Sequence, residues 1–169
     1  MKLLFVFVIA CLSLPLWAQD FVGTSGDDVL VGSSGDDTFQ GGDGSDEIYG
    51  QGGDDTITVS GKTGVFADVI NGGTGSDSLI IAYSGITKMS DFTVSQVSRE
   101  ESAYWVFTDQ NGGTISFKNI LDYTYTSGAA GYWDGSITVN DKVYTFVSDM
   151  RSERYPFSGA YGSVQAFVY

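Results

Sequence analysis

Between residues 23 and 80 the large apolar side chains of one set come singly, at Leu30, Phe39, Ile48, Ile57, Ile70 and Leu79, among glycine, serine, threonine and aspartate. Nine residues separate consecutive members, except that Ile57 and Ile70 are thirteen apart. Cut at that period, the chain reads GTSGDDVLV (23–31), GSSGDDTFQ (32–40), GGDGSDEIY (41–49) and GQGGDDTIT (50–58). A four-residue insertion follows (59–62), and the phase resumes with TGVFADVIN (63–71) and GGTGSDSLI (72–80). An internal period of this kind defines a repeat architecture and is read before anything else. A flexible glycine- and aspartate-rich linker has a similar composition, but it would not keep aspartate and a large apolar residue in phase through six blocks.

Each position of the block has a physical role. Glycine at the first and fourth positions allows the positive φ angles of a tight turn, and Gly23, Gly32, Gly41 and Gly50 open the first four blocks. The last three residues read as a very short strand, its middle side chain pointing one way and its neighbours the other. Stacked coils therefore bury the six apolar residues in an internal column, too thin to hold a fold by itself. The sixth position is aspartate in every block: Asp28, Asp37, Asp46, Asp55, Asp68 and Asp77. Stacking brings each carboxylate near a like charge, so the turns repel one another unless a cation lies between them. A hard divalent cation with oxygen ligands answers both problems, and calcium is the expected ion. Asp27, Asp36 and Asp54, at the fifth position, are a competing ligand set. Serine or alanine stands there in the other three blocks, so these three are expected to be solvated or outer-shell charges.

The blocks resemble the calcium-binding nonapeptide G-G-x-G-x-D-x-U-x of the repeats-in-toxin (RTX, haemolysin-type) family, where U is large and apolar. The resemblance implies that six residues of each block form a turn and three a strand, and that two blocks complete one right-handed coil. It further implies that calcium lies between turns stacked on the same side, held by sixth-position carboxylates and turn carbonyls. Carried onto this chain, the ligands come from Asp28, Asp37, Asp46, Asp55, Asp68 and Asp77 and from the turns opened by Gly23, Gly32, Gly41 and Gly50. The same-side pairs begin at Gly23 with Gly41 and Gly32 with Gly50, which are the secure sites. Gly41 with Thr63 and Gly50 with Gly72 both span the insertion, and Val65 and Phe66 stand where small turn residues belong. Two to four calcium ions are expected. The implied fold is all-β: a right-handed parallel β-roll over 19–80, followed by a C-terminal antiparallel β cap over 81–169.

Residues 1–18 have the form of a secretory signal peptide, with Lys2, an apolar run over 3–17 broken by Ser13, and the small Ala18 before a cut ahead of Gln19. That run is short of the about 20 residues of a transmembrane helix, so no transmembrane segment is expected in the mature chain. The alternative is a lipid anchor at Cys11, since Val8-Ile9-Ala10-Cys11 resembles a lipoprotein cleavage box. Cleavage after Ala18 removes the only cysteine, leaving no disulfide to staple a secreted fold. Calcium would supply the staple, since extracellular calcium modules bind in the ~10⁻⁴–10⁻³ M range and such binding energy becomes folding energy. The chain would then stay loose in the cytoplasm and fold outside.

The formal net charge is −13. Residues 20–80 hold twelve acidic residues against one base, Lys62, whereas 81–169 hold nine acidic and six basic residues. Such acidity disfavours nucleic acid and anionic membrane as partners.

The region 81–169 carries 17 of the 24 aromatics and no helical period. Residues 104–108 and 114–118, flanking Asp109-Gln110-Asn111-Gly112-Gly113, read as a hairpin. Residues 136–139 and 142–147 read as another across Asn140-Asp141, a pair that tolerates left-handed backbone. Residues 93–97 and 165–168 are weaker strands. A cap continuing the roll would cover its open end and blunt its edges. The chain has no histidine, no G-x-S-x-G elbow and no thiol after cleavage, which removes triads, H-E-x-x-H zinc sites and thiol chemistry. It is therefore read as a non-enzymatic structural or binding module outside the cell. One alternative is a carbohydrate-binding or adhesin-like protein that stacks surface or matrix polysaccharide on Tyr123, Tyr125, Tyr132 and Trp133 around the loop 127–131. A second is a carboxylate hydrolase using a pair drawn from Asp91, Glu100, Glu101, Asp109, Asp122 and Asp134.

Overall fold

Nine residues make one turn and one short strand, so the chain changes sheets at every block. The computed structural model describes residues 7–10, 17–99, 102–120, 122–124, 132–146 and 166–168. The strands are β1 (Phe7–Ala10), β2 (Asp20–Val22), β3 (Asp28–Val31), β4 (Thr38–Gln40), β5 (Glu47–Tyr49), β6 (Thr56–Ser60), β7 (Ala67–Asn71) and β8 (Ser78–Ala82). There follow β9 (Thr93–Arg99), β10 (Ser102–Thr108), β11 (Thr114–Lys118), β12 (Asp122–Thr124), β13 (Tyr132–Asp134), β14 (Ser136–Val139), β15 (Lys142–Phe146) and β16 (Ala166–Val168). Among the described residues the only helical element is a 3-10 turn, Met89–Asp91. No helix there is long and apolar enough to cross a membrane.

Among the described residues two seven-stranded sheets result, ordered β1-β3-β5-β7-β11-β10-β9 and β2-β4-β6-β8-β14-β15-β16, and β12 and β13 form a third, two-stranded sheet. In each seven-stranded sheet, the first five strands are parallel and the last two turn antiparallel. The parallel register aligns the eighth-position residues into two buried rows rather than one column. One row runs Leu30, Ile48, Ile70 to Phe117, and the other Phe21, Phe39, Ile57, Leu79 to Ile137. Phe21 and Phe39 stack with ring centroids 4.9 Å apart. Burying each such side chain stabilises the fold by roughly 1.5–3 kcal/mol relative to exposure.

The insertion does not simply loop out. Val59 and Ser60 lengthen β6 and pair with Ile81 and Ala82 of β8, which opens a second buried layer of Val59, Ile81 and Val139. The roll is therefore wider after the insertion than before it.

The C-terminal hairpins attach by parallel pairing, β11 on β7 and β14 on β8. One hydrophobic core runs from Phe21 through the roll to Phe92, Phe107, Phe117 and Tyr144. Both expected turns form. Asn140 and Asp141 take φ of 47° and 65°, the left-handed pair of a two-residue hairpin. Asp109 accepts hydrogen bonds from the backbone N–H of Asn111 and Gly113, with Gly112 at φ 88°. β9 and β16 form where the weaker strands were expected. The segment read as a signal peptide contributes β1, whose backbone pairs parallel with β3.

Candidate metal centre

All six sixth-position aspartates are buried, at 1 % exposure each, directly ahead of a strand or within its first two residues. Stacking links them in ladders. The backbone N–H of Asp28, Asp37, Asp46 and Asp55 donates to one oxygen (Oδ1) of Asp46, Asp55, Asp68 and Asp77, the aspartate of the next turn on the same side. The same-side pairs are thus Gly23 with Gly41, Gly32 with Gly50, Gly41 with Thr63, and Gly50 with Gly72, as expected. The second oxygen (Oδ2) of Asp28, Asp37, Asp46, Asp55 and Asp77 faces its own turn, and there the turns differ.

Thr24 and Ser33 hold the second position in the first two turns. The Thr24 N–H (2.5 Å) and hydroxyl (3.0 Å) donate to Asp28 Oδ2, and the Ser33 N–H (2.7 Å) and hydroxyl (3.0 Å) donate to Asp37 Oδ2. Each hydroxyl also accepts from the fourth-position glycine N–H, at 3.1 Å. These turns satisfy their own carboxylates.

The turns opened by Gly41, Gly50 and Gly72 have positive φ at the second and fourth positions: Gly42 and Gly44, Gln51 and Gly53, Gly73 and Gly75. No hydroxyl stands at the second position in any of them. Asp55 Oδ2 is consequently buried with no hydrogen-bond partner. A buried polar atom left this way costs about 1–3 kcal/mol unless something else satisfies it, and more for a charged group. Burial pushes the Asp55 carboxyl up to about 7, with the neighbouring Asp77, Asp37 and Asp36 charges adding to the rise. Proton or cation must relieve this group.

The first-position glycines have a different role from the one the sequence suggested. Gly23, Gly32, Gly41 and Gly50 are not in the positive-φ region. They are glycine because space is missing. A Cβ on Gly50 would lie 2.1 Å from the Gly72 carbonyl oxygen and 2.2 Å from Asp55 Oδ2. On Gly23 it would lie 2.3 Å from the Gly41 carbonyl oxygen, and on Gly32 2.6 Å from that of Gly50. On Gly41 it would lie 2.3 Å from Asp46 Oδ2. The cradle between turns is built of carbonyl and carboxylate oxygens too close for a methyl group, which is the donor set a hard divalent cation prefers. Among the described residues no three carboxylate, imidazole or thiol groups gather at one point. A cation between turns would have two aspartates completed by backbone oxygens, and the donors present fit calcium in that way.

The fifth-position aspartates form a second ladder. Asp27, Asp36 and Asp54 each accept the backbone N–H of the fifth residue in the following same-side turn, Ser45, Asp54 and Ser76, at 2.8 Å. They bridge coils rather than merely facing solvent. Asp43 does similar work across the insertion by accepting the Thr63 N–H at 2.9 Å and the Thr63 hydroxyl.

At the gap between the turns opened by Gly41 and Thr63, a side chain occupies the centre. Lys62 Nζ lies 2.8 Å from Asp46 Oδ2, 2.9 Å from Asp68 Oδ1 and 2.9 Å from the Gly44 carbonyl oxygen. Burial pushes the Asp68 carboxyl up to about 6, with Lys62 opposing the rise. Burial likewise raises that of Asp46, again against the pull of Lys62.

Of the carboxylates considered for hydrolysis, Asp91 accepts from the Thr87 N–H and hydroxyl and the Lys88 N–H, and Asp109 closes its hairpin turn and accepts from the Tyr83 hydroxyl. Both are turn-forming groups. Glu100 and Glu101 lie outside the described residues, as do the side chains of Asp122 and Asp134. Tyr123 pairs with Trp133 across β12 and β13. The side chains of Tyr123, Tyr132 and Trp133, together with Tyr125 and 127–131, lie outside the described residues.

Parallel coils with carboxylates facing across each turn define a calcium-binding repeat scaffold. Residues 22–57 and 63–80 match the RTX calcium-binding nonapeptide repeat, in four copies. These segments are RTX repeats, and the match breaks at the insertion. No curated protein and no solved structure matches the chain.

Proposed function

We propose that this chain is an exported structural module whose β-roll completes its fold by taking calcium between same-side turns. The observation that carries this is the buried, undonated Asp55 Oδ2 in a cradle of carbonyl and carboxylate oxygens. The gap between the turns opened by Gly50 and Gly72 is accordingly the tightest calcium site. It is lined by Asp55 and Asp77 with turn carbonyls, and the ion supplies the positive charge that these groups lack. The gaps at Gly23/Gly41 and Gly32/Gly50 use Asp28 with Asp46 and Asp37 with Asp55. They bind more weakly, because Thr24 and Ser33 already satisfy one oxygen in each. Export rests on residues 1–18 as a signal peptide. Millimolar calcium outside the cell then favours the ordered roll by mass action.

The test is a calcium titration of the chain followed by circular dichroism. A gain of β signal at submillimolar to millimolar calcium, absent with magnesium and shifted to higher calcium by Asp55→Ala, is expected. Full β signal in chelator that calcium leaves unchanged, together with no bound ion, overturns the proposal.

A further inference from the structure

The two departures from the repeat, the insertion 59–62 and the Thr63 block, meet at one point. The turn opened by Gly41 has the backbone of the turn opened by Gly50, with Gly42 and Gly44 at φ 96° and 94° against 78° and 101° for Gln51 and Gly53. Its carboxylate faces a second aspartate across the gap in the same way. The atoms around this gap that correspond to those around Asp55 hold the Lys62 ammonium instead.

We propose that Lys62 is a built-in substitute for calcium at this gap, so that the third site of the roll is filled by a tethered ammonium and takes no metal. The proposal rests on the other gaps binding calcium as above. An ammonium has three N–H donors and no acceptor. Here the three acceptors are the Gly44 carbonyl, Asp46 and Asp68, at 2.8–2.9 Å, with the side chain 2 % exposed. Its hydrogen-bonding capacity is used up, which is the condition under which a buried ion pair is tolerated. Phe66 stands at the fourth position, where five of six blocks have glycine. Its ring centroid lies 5.0 Å from Lys62 Nζ. An ammonium is attracted to an aromatic face, whereas calcium needs six to eight oxygens around it. The insertion thus delivers the cation, and the altered turn suits an ammonium rather than a metal.

Three variants of the full chain test this by native mass spectrometry in saturating calcium. Lys62→Ala is expected to bind one calcium ion more than the parent chain, because it frees the gap. Lys62→Met, which keeps an apolar plug of similar length, is expected to bind the parent number. Asp55→Ala is expected to bind fewer and reports on the other gaps. A folded Lys62→Ala with the parent calcium count overturns the proposal. Should that variant fail to fold, acylation of the parent chain in saturating calcium decides. Lys62 is expected to react at least about tenfold more slowly than the exposed Lys142, as a group shielded in the closed state. Equal rates show that calcium displaces the ammonium and overturn the proposal. A parent chain that binds no calcium sinks the function proposed above, while the acylation result still judges the role of Lys62.

Discussion

The gap between the turns opened by Gly41 and Thr63 and the gap between those opened by Gly50 and Gly72 both span the insertion. Both start from turns with the same backbone, and both bury two sixth-position aspartates. On one face the charge is answered from within the chain by Lys62, while on the other Asp55 keeps an oxygen with no donor. The carboxyl groups reflect this. Burial raises Asp46, Asp55 and Asp68 alike, but at Asp55 only like charges stand nearby and add to the rise, whereas at Asp46 and Asp68 the Lys62 ammonium opposes it. One repeat therefore gives two electrostatic outcomes, and a single tethered cation separates them. On the function proposed above, the gap holding Lys62 needs no calcium, whereas the gap at Asp55 takes its positive charge from solution.

The comparison breaks most visibly at Asp46. Asp46→Ala removes one partner of the buried Lys62 and is expected to cost about 3–5 kcal/mol with calcium present. Chemical denaturation in saturating calcium measures this, and a cost under about 1 kcal/mol would deny the ion pair its structural role. Next, Gly50→Ala forces a Cβ against the Gly72 carbonyl and is expected to cost about 1–3 kcal/mol. Gly26→Ala, whose Cβ meets only the Thr24 hydroxyl at 3.8 Å, is expected to stay within about 0.5 kcal/mol.

Asp55→Ala sharpens the contrast. It is expected to weaken calcium binding at least about tenfold, equivalent to 1.4 kcal/mol. In chelator it should be neutral or mildly stabilising, since an uncompensated buried carboxylate is gone. Isothermal calorimetry and paired melts in calcium and chelator read the two effects separately, and equal destabilisation in both conditions would assign Asp55 a role independent of calcium.

The smallest effect is in pH. Asp55 and Asp68 have folded-state values raised above 3.8, so the ion-free fold binds more protons than the unfolded chain between about pH 4 and 7. Their contribution is fully present below pH 4 and is lost as pH rises through 6 to 7. Melting temperature in chelator is therefore expected to fall from pH 4 to pH 8. Saturating calcium should flatten or reverse that slope, because the ion binds the deprotonated form. A rising melting temperature in chelator over this range would contradict the burial of these groups.

Much of the roll was legible from residue identity. The rows through Leu30, Ile48 and Ile70 and through Phe39, Ile57 and Leu79 follow from one apolar residue per nine, because a strand side chain faces either core or solvent and nothing between. The Asn140-Asp141 hairpin was equally readable, since few residue pairs accept two left-handed conformations in succession. Three features were not legible. Gly50 and its counterparts are glycine for want of space, and only stacked coils bring a second carbonyl to them. Asp27, Asp36 and Asp54 were expected to be solvated or outer-shell charges; Asp36 and Asp54 are exposed, and what the sequence did not show is that each of the three also accepts an N–H from the coil that follows. Lys62 entered the sequence analysis only as the one base of an acidic segment, and the signal that bore on it was its place at the end of the insertion, one residue before the divergent block.

The period, the aspartate phase and the apolar rows were determined by the sequence alone, because each depends on interactions repeated at fixed short spacing. Which carboxylates are satisfied, and by what, was decided only by the tertiary structure. Lys62 reaches Asp46 across 16 residues, and Asp46 and Asp68 meet across 22. At such separations the chain carries no local preference for the contact. Only the stacking of one coil on the next brings the charge and its partners within 3 Å of each other.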